Sequence, residues 1–264
     1  MIWLAGYATA GTLIGFLAGL LGIGGGMSLV PILAAMFTAQ ALAPDHNVHL
    51  ALGTCMASIM FTSGASAREH HRLGAVDWGV ARRIAPGLLT GILASSAAAG
   101  FLPQRVLALS FAVIVYAGAT QILFGRKPHA ARTLPGGTAM FTICFAIGGI
   151  SGLVSAGGSF LTIPFMLFCG VPMRNAIATA AAISVPVGLA GTVGYIASGW
   201  HVPGLPPGSV GFVFLPALGA LVATSMLTAP FGARAAHRLP VDTLKRIFAG
   251  ALYLLATRML VTYW

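Results

Sequence analysis

The chain has 264 residues, of which 58% are hydrophobic and only 7% are charged. Soluble domains carry about 25% charged residues, so this composition excludes a water-soluble globule. The formal net charge of +10 comes from Lys and Arg in short runs between apolar segments rather than on one polar face, which argues against nucleic-acid binding and indicates the topology signals of a membrane protein.

The first half begins with an apolar segment, residues 2–40, that is too long for one membrane span and carries a glycine-rich break at Gly22–Gly26. We predict that this segment doubles back as a helix-break-helix hairpin. The start of the chain has neither a basic region nor a small-residue cleavage pattern, so we expect it to be retained. Three ordinary spans follow, at residues 49–67, 84–101 and 105–124.

The second half repeats this plan. An apolar segment at residues 138–169 is broken at Ser155–Ser159, and we predict a second hairpin there. Its three spans are predicted at residues 175–197, 210–230 and 243–262. The chain is accordingly divided into a first membrane repeat at 1–125, a cytoplasmic linker at 126–137 and a second membrane repeat at 138–264.

Sequence matches support the repeat directly. Residues 15–26 align with residues 148–159 at a constant offset, and the match continues to Pro31 over Pro164. Four matching blocks occur in the same order, which is the signature of an internal repeat. The further matches are Ala51–Thr54 over Ala176–Thr179, Pro86 over Pro216, and Leu102, Pro103, Phe111 and Tyr116 over Leu239, Pro240, Phe248 and Tyr253.

Parity sets the relative orientation of the halves. A hairpin that returns to its own side, followed by three crossings, changes side an odd number of times and inverts the second half. With doubling-back hairpins and an outside N-terminus, all loop Lys and Arg residues except Arg105 lie on the cytoplasmic side. Eight simple crossings with an inside N-terminus instead divide these basic residues almost evenly between the two sides. The positive-inside rule therefore favours an all-α polytopic membrane protein of two inverted repeats, each a glycine-broken hairpin plus three transmembrane helices. Charge leaves open whether each hairpin is re-entrant or spans twice.

The two breaks form the candidate binding site. In transporters with broken helices, half-helix N-termini point unpaired N–H groups at an anionic substrate, and glycine lets backbone approach it closely. The alternative is that glycines serve only close helix packing, which we favour for Gly15, Gly19, Gly148 and Gly152. The predicted substrate-binding residues are Gly22, Gly24, Gly25, Gly26, Ser28, Thr54, Ser155, Gly157, Gly158, Ser159 and Thr179.

Several polar residues have a second interpretation. Thr54 and Thr179 occupy the same repeat position, where the hydroxyl either donates to an oxyanion or bonds to a carbonyl of its own helix. Arg258 lies in the last apolar stretch and is interpreted as snorkelling to the interface that Tyr263 marks. His70 is interpreted as part of a solvated cytoplasmic loop.

The positions of the acidic residues restrict the substrate. All four, Asp45, Glu69, Asp77 and Asp242, are predicted in loops or at their edges. A core without carboxylates argues against sodium or proton coupling through such a group, and it favours an anion held by backbone donors and hydroxyls. The three cysteines have unrelated spacings, so we expect no metal and no cofactor.

The pattern G-x-x-G-x-G-G-G-x-x-x-x-P from Gly19 to Pro31, echoed as G-x-x-S-x-G-G-S-x-x-x-x-P from Gly152 to Pro164, resembles the TauE/SafE family of sulfite exporters. Ala51–Thr54 resembles its second signature. The resemblance covers essentially the whole chain and implies transport of sulfite, organosulfonates such as sulfoacetate, thiosulfate or other small anions. The departures are Ala178 at the position of Gly53, and Ser155 and Ser159 at the positions of Gly22 and Gly26.

The sequence as a whole predicts a multi-pass transporter of a bacterial-type inner membrane that moves a small anion by alternating access. Its expected partners are the anion and the lipid bilayer, not nucleic acid, and the oligomeric state is left open, a homodimer included. A passive anion channel is the nearest alternative. An intramembrane enzyme is disfavoured because the chain has no H-E-x-x-H, no G-x-S-x-G and no aspartate in a predicted span.

Overall fold

The computed structural model describes residues 2–21, 25–124, 134–235 and 241–263. Within these ranges the protein is helical, with one short β-hairpin between α8 and α9. The first half contains α1 (Ile2–Leu21), α2 (Gly26–Ala39), α3 (Asn47–Arg72), α4 (Trp78–Ala99) and α5 (Gln104–Phe124). The second half contains α6 (Gly137–Leu153), α7 (Ser159–Phe168), α8 (Met173–Gly199), β1 (Ser209–Val210), β2 (Val213–Phe214), α9 (Leu215–Ala235) and α10 (Val241–Tyr263).

The all-helical prediction is confirmed, and each predicted span corresponds to one helix. Within the described residues, four helices are both long and apolar enough to cross a bilayer, at Ile2–Leu20, Asn47–Arg72, Met173–Gly199 and Leu215–Ala235. The helix α4 begins earlier than predicted because the Asp77 carboxylate caps it, accepting the N–H of Val80 at 3.0 Å.

Two further boundary predictions were wrong. The α9 span begins at Leu215 rather than residue 210, because Gly208 and Gly211 adopt positive φ and turn the chain into the β1–β2 hairpin. The helix α3 continues through the basic run to Arg72, and His70 is buried in its last turn rather than solvated in a loop.

The first apolar segment doubles back on itself. The Tyr7 hydroxyl, near the start of α1, lies 2.6 Å from the side-chain amide nitrogen of Gln40, directly after α2. The rings of Tyr7 and Phe37 are 6.2 Å apart. The helices α2 and α7 have 14 and 10 residues, so at 1.5 Å per residue they are about 21 Å and 15 Å long, too short by themselves to cross a core of about 30 Å.

The centre of the molecule is the crossing of α3 and α8, where Gly188 packs against the backbone of Met60. Around this pair, α1 packs along α9 and α4 packs along α6. Gly15 and Gly19 face the α9 backbone, and Gly148 and Gly152 face α4, each at a distance that leaves no room for a side chain. The packing interpretation of these four glycines is therefore confirmed.

Contacts between loops define the two ends of the bundle. At one end, Arg234 donates to Glu69 at 2.9 Å and Asn175 donates to the carbonyl of Ala75 at 3.1 Å. Consequently the end of α3, the start of α8 and the end of α9 lie together. At the other end, Tyr263 donates to Asn47 and the Gln104 amide donates to the carbonyl of Pro44 at 3.1 Å.

Candidate functional site

Both helix breaks end on a left-handed glycine. Gly25 precedes α2 with φ 70°, and Gly158 precedes α7 with φ 75°. Only glycine adopts this conformation without a steric cost, which explains the residue type at both positions. The predicted site residues Gly22 and Gly24 lie outside the described residues. The described part of the first break therefore has the same local geometry as the second.

Ser155 anchors the second break to α3. It adopts φ 47°, an uncommon conformation for a residue with a side chain, and it is fully buried. Its hydroxyl donates to the carbonyl of Leu52 on α3 at 2.9 Å. Gly157 follows with φ 67°, so the chain turns sharply before α7. The side-chain bond of Ser155 holds this irregular backbone against the central helix.

The two breaks touch each other at α3. A methyl group on Gly26 would lie far closer to the carbonyl oxygen of Ser155 than van der Waals contact allows. The Cys55 sulfur on α3 lies 3.8 Å from the carbonyl oxygens of both Gly26 and Ser155. The structure thus brings together predicted site residues that are 129 positions apart in the chain (155 − 26 = 129).

The second break is lined by hydroxyls that have no equivalent in the first. The Ser159 and Ser184 hydroxyl oxygens are 2.7 Å apart, and the Ser184 hydroxyl also lies 2.7 Å from the carbonyl oxygen of Gly157. In the first half, the place of Ser159 is taken by Gly26, which packs near the side chain of Ile59 on α3. At this position the hydroxyl pair makes the second break the more polar side of the paired breaks.

Unpaired donors lie beside the breaks. The first N–H groups of α2 and α7 have no partner within their own helices, and the aligned peptides give each helix start a partial positive charge. Ser28, in the first turn of α2, is buried, and its hydroxyl has no hydrogen-bond partner among the described residues. The same holds for Ser151 on α6, within the ranges that the structure covers. Buried hydroxyls of this kind provide donors for a bound anion.

Sequence reasoning did not identify Ser151, Ser184 or Tyr195 as neighbours of the second break. Tyr195, fully buried on α8, donates to the carbonyl of Gly152 at 2.9 Å. The only available signal was the presence of single polar side chains in otherwise apolar spans. Which span faces which break depends on helix packing, which a single sequence does not specify.

Thr54 and Thr179 hold the starts of two other helices. The Thr54 hydroxyl oxygen accepts the N–H of Phe214, directly before α9, at 2.9 Å. The Thr179 hydroxyl oxygen accepts the N–H of Asp77, directly before α4, also at 2.9 Å. Both residues are fully buried, and the matching bonds show that the repeat position has the same structural use in each half. Their substrate contacts stay a prediction.

The neighbourhood of the breaks is uncharged. The residues described above as contacting them, Leu52, Cys55, Ile59 and Ser184, carry no formal charge. The four acidic residues lie at the helix ends, as predicted, at Asp45 before α3, Glu69 in its last turn, Asp77 before α4 and Asp242 in the first turn of α10. No cluster of three His, Cys, Asp or Glu residues suited to a metal occurs in the described part of the chain.

Comparison with known proteins identifies the family. A family model described as "Sulfite exporter TauE/SafE" matches residues 7–259. The chain belongs to the TauE/SafE family. The resemblance seen in the two break motifs is thereby confirmed.

Relatives of this TauE/SafE chain are named as transporters. A probable membrane transporter protein of Haemophilus influenzae is 34% identical over 254 residues, which cover 94% of this chain and 95% of the relative. The probable membrane transporter protein YdhB of Bacillus subtilis is 27% identical, covering 71% of this chain and 77% of the relative. No solved structure matches. Family, relatives and apolar helices together show a multi-pass membrane transporter rather than an enzyme.

Proposed function

We propose that this TauE/SafE protein carries a small oxyanion, sulfite or an organosulfonate or another sulfur oxyanion, across a bacterial-type inner membrane. The anion binds between the two helix breaks and moves by alternating access. The observation that carries this proposal is the contact between Gly26 and Ser155 beside the central helix α3, because it brings the start of α2 against the second break.

The chemistry at the breaks suits an oxyanion. Each helix start contributes roughly half a positive elementary charge and N–H donors that are unused inside the helix. Ser28 and Ser151 add buried hydroxyls without partners among the described residues. A cation placed there would meet donors and helix N-termini instead of carboxylates, which lie at the helix ends. An anion replaces its hydration shell by these donors without needing a full counter-charge.

Inverted repeats provide the two states that alternating access needs. The packing supports this organisation, because α1 lies on α9 of the opposite half and its counterpart α6 lies on α4. The equivalent hydrogen bonds also cross between the halves: Thr54 of the first half bonds to Phe214 of the second, and Thr179 of the second half bonds to Asp77 of the first. The contacts of Arg234 with Glu69 and of Asn175 with Ala75 also support this organisation, because they join segments that are predicted to be cytoplasmic.

The test is uptake of radiolabelled sulfite, thiosulfate and sulfoacetate into liposomes that contain the purified protein. We expect saturable uptake that accelerates when unlabelled anion is present on the opposite side. Flux that neither saturates nor responds to the opposite side would establish a channel and overturn the carrier mechanism. Absence of uptake for every sulfur anion would overturn the substrate class.

A pair of glycine variants connects uptake to the breaks. Gly158→Ala forces a side chain onto a residue with φ 75°, whereas Gly149→Ala, in the neighbouring α6, adds a methyl group in open space. We expect reduced uptake by the first variant and normal uptake by the second, with both folded by size-exclusion chromatography. Equal uptake by the two variants would show that transport does not depend on the backbone geometry of the breaks.

A further inference from the structure

A cleft lies away from the breaks, between α2 and α10. It has a volume of about 210 Å³. Pro31, Ala34, Ala35 and Thr38 form its α2 wall, and their spacing places them on one face of that helix. The remaining lining residues are Ala39, Arg258, Met259, Thr262 and Tyr263. The cleft therefore follows α2 from its end near Asn47 to within about two turns of the break at Gly26.

Arg258 supplies the charge of this cleft. It lies in α10 with an exposed side chain, and within the described residues its guanidinium makes no hydrogen bond or ion pair. The corresponding repeat position in α5 is Gln121, so the first half lacks this charge. A cation in a membrane-spanning helix is costly unless it is paired or reaches the interface, and such residues mark functional sites. A guanidinium with several free donors is a good partner for a tetrahedral oxyanion.

Three hydroxyl-bearing residues, Thr38, Thr262 and Tyr263, line the same cleft as Arg258. Thr262 lies one turn after Arg258 and donates to its carbonyl at 2.8 Å. Thr38, across the cleft on α2, accepts from Asn47 at 2.6 Å and lies 3.3 Å from the Tyr263 hydroxyl. This Thr38–Asn47–Tyr263 network ties the end of α10 to the end of α2, so the two walls of the cleft are held in place.

We propose that the Arg258 cleft is a second oxyanion-binding site, separate from the helix breaks. Its ligand is a sulfonate-like or phosphate-like group, supplied either by a small anion in solution or by the headgroup of an anionic lipid. The chemistry follows from the Arg258 guanidinium, because the hydroxyls of Thr38, Thr262 and Tyr263 already donate to Ala34, Arg258 and Asn47 oxygens. The proposed function enters only in the choice of a small sulfonate as the probe. The interpretation of Arg258 as a snorkelling residue predicts no such site.

The test measures protection of a thiol placed in the cleft. Thr262→Cys is combined with Cys169→Ser, since Cys55 and Cys144 are buried. The protein is purified in a neutral maltoside detergent, and the rate of alkylation by an uncharged maleimide is measured at constant ionic strength. One arm adds sodium methanesulfonate and the other adds a short-chain phosphatidylglycerol, each compared with sodium chloride. We expect a several-fold slower rate in at least one arm, and the arm that protects identifies the source of the ligand.

Two charge-neutralising variants decide whether Arg258 is responsible. Protection must disappear in Arg258→Gln and persist in Arg83→Gln, which removes an exposed arginine from the opposite end of the bundle. Protection that survives in Arg258→Gln, or that is absent from the parent protein in both arms, overturns the proposal. Loss of protection in both variants also overturns the proposal, because the slower alkylation would then depend on the total charge of the protein rather than on Arg258. Lack of transport with intact protection would contradict only the proposed function.

Discussion

Gly53 shows how a single position distinguishes the two halves. It lies on α3 beneath the β1–β2 hairpin, where a side chain would collide with the carbonyl group of Phe212. The second half has Ala178 at the corresponding position, fully buried on α8. The loop that Thr179 holds, residues 73–77, is far shorter than residues 200–214 and contains no hairpin. Packing against the longer loop therefore accounts for the glycine at position 53.

The substitution Gly26→Ala tests the contact between the breaks. The new methyl group would collide with the Ser155 carbonyl, which is backbone and has little freedom to move. We expect a loss of about 1–3 kcal/mol of stability, as for other overpacked sites, together with loss of transport. Thermal unfolding in detergent and liposome uptake measure the two effects. Gly149→Ala is the control, and equal behaviour of the two variants would show that the breaks do not touch.

The substitutions Thr54→Val and Thr179→Val separate structural from binding roles. Each removes the acceptor of a backbone N–H, on Phe214 or Asp77, and leaves that donor unpaired. We expect a stability loss of about 1–3 kcal/mol for each, and recovery when serine replaces valine. Thermal unfolding provides the stability values. An unchanged melting temperature with a raised KM for the anion would instead assign the hydroxyls to substrate binding alone.

At the level of the elements, the glycine-rich breaks predicted where each long apolar segment divides into two helices. The breaks at Gly22–Gly26 and Ser155–Ser159 interrupt apolar segments, and the structure divides each segment there. The β1–β2 hairpin was missed because Gly-Phe-Val-Phe continues the apolar run of α9, and hydrophobicity does not separate a short strand from a helix start. His70 was misplaced because the surrounding charges indicated a solvated loop, whereas helix packing buries that one side chain.

The substitution Ser184→Ala tests the polar side of the paired breaks. It removes the hydroxyl that lies between Ser159 and the carbonyl of Gly157. We expect about 1 kcal/mol of destabilisation and a raised KM for the anion. Ser96→Ala is the control, because the equally buried Ser96 hydroxyl bonds to its own helix, at the carbonyl of Ile92 (2.7 Å), whereas the Ser184 hydroxyl contacts both its own helix, at Ala180, and the break. Similar KM changes in both variants would assign no special role to Ser184.

At the level of the whole molecule, the proposed topology makes opposite predictions for two exposed residues. Inverted repeats with doubling-back hairpins place Arg174 inside, with Leu73, and His201 outside, with Asp45. Eight simple crossings reverse the assignment of Arg174 and His201. Single cysteines are placed at residues 45, 174 and 201 and treated in intact cells with an impermeant maleimide, which labels only residues that face the outside. We expect labelling at residues 45 and 201 only, and labelling at 174 would refute the inverted arrangement.

The β1–β2 hairpin makes the two ends of the bundle unequal. Phe212 is completely buried beside His46 and His49, and the backbone N–H of Phe212 bonds to Tyr195 at 3.3 Å. Opening this end must displace a fully buried aromatic side chain, whereas Trp78, beside His71 at the other end, is exposed, so the two half-reactions of a transport cycle have different barriers. We therefore expect unequal half-saturation concentrations on the two faces. In a carrier that runs without an energy source, the ratio of maximal rate to half-saturation must still be the same in both directions, so the face with tighter binding will also be the slower one.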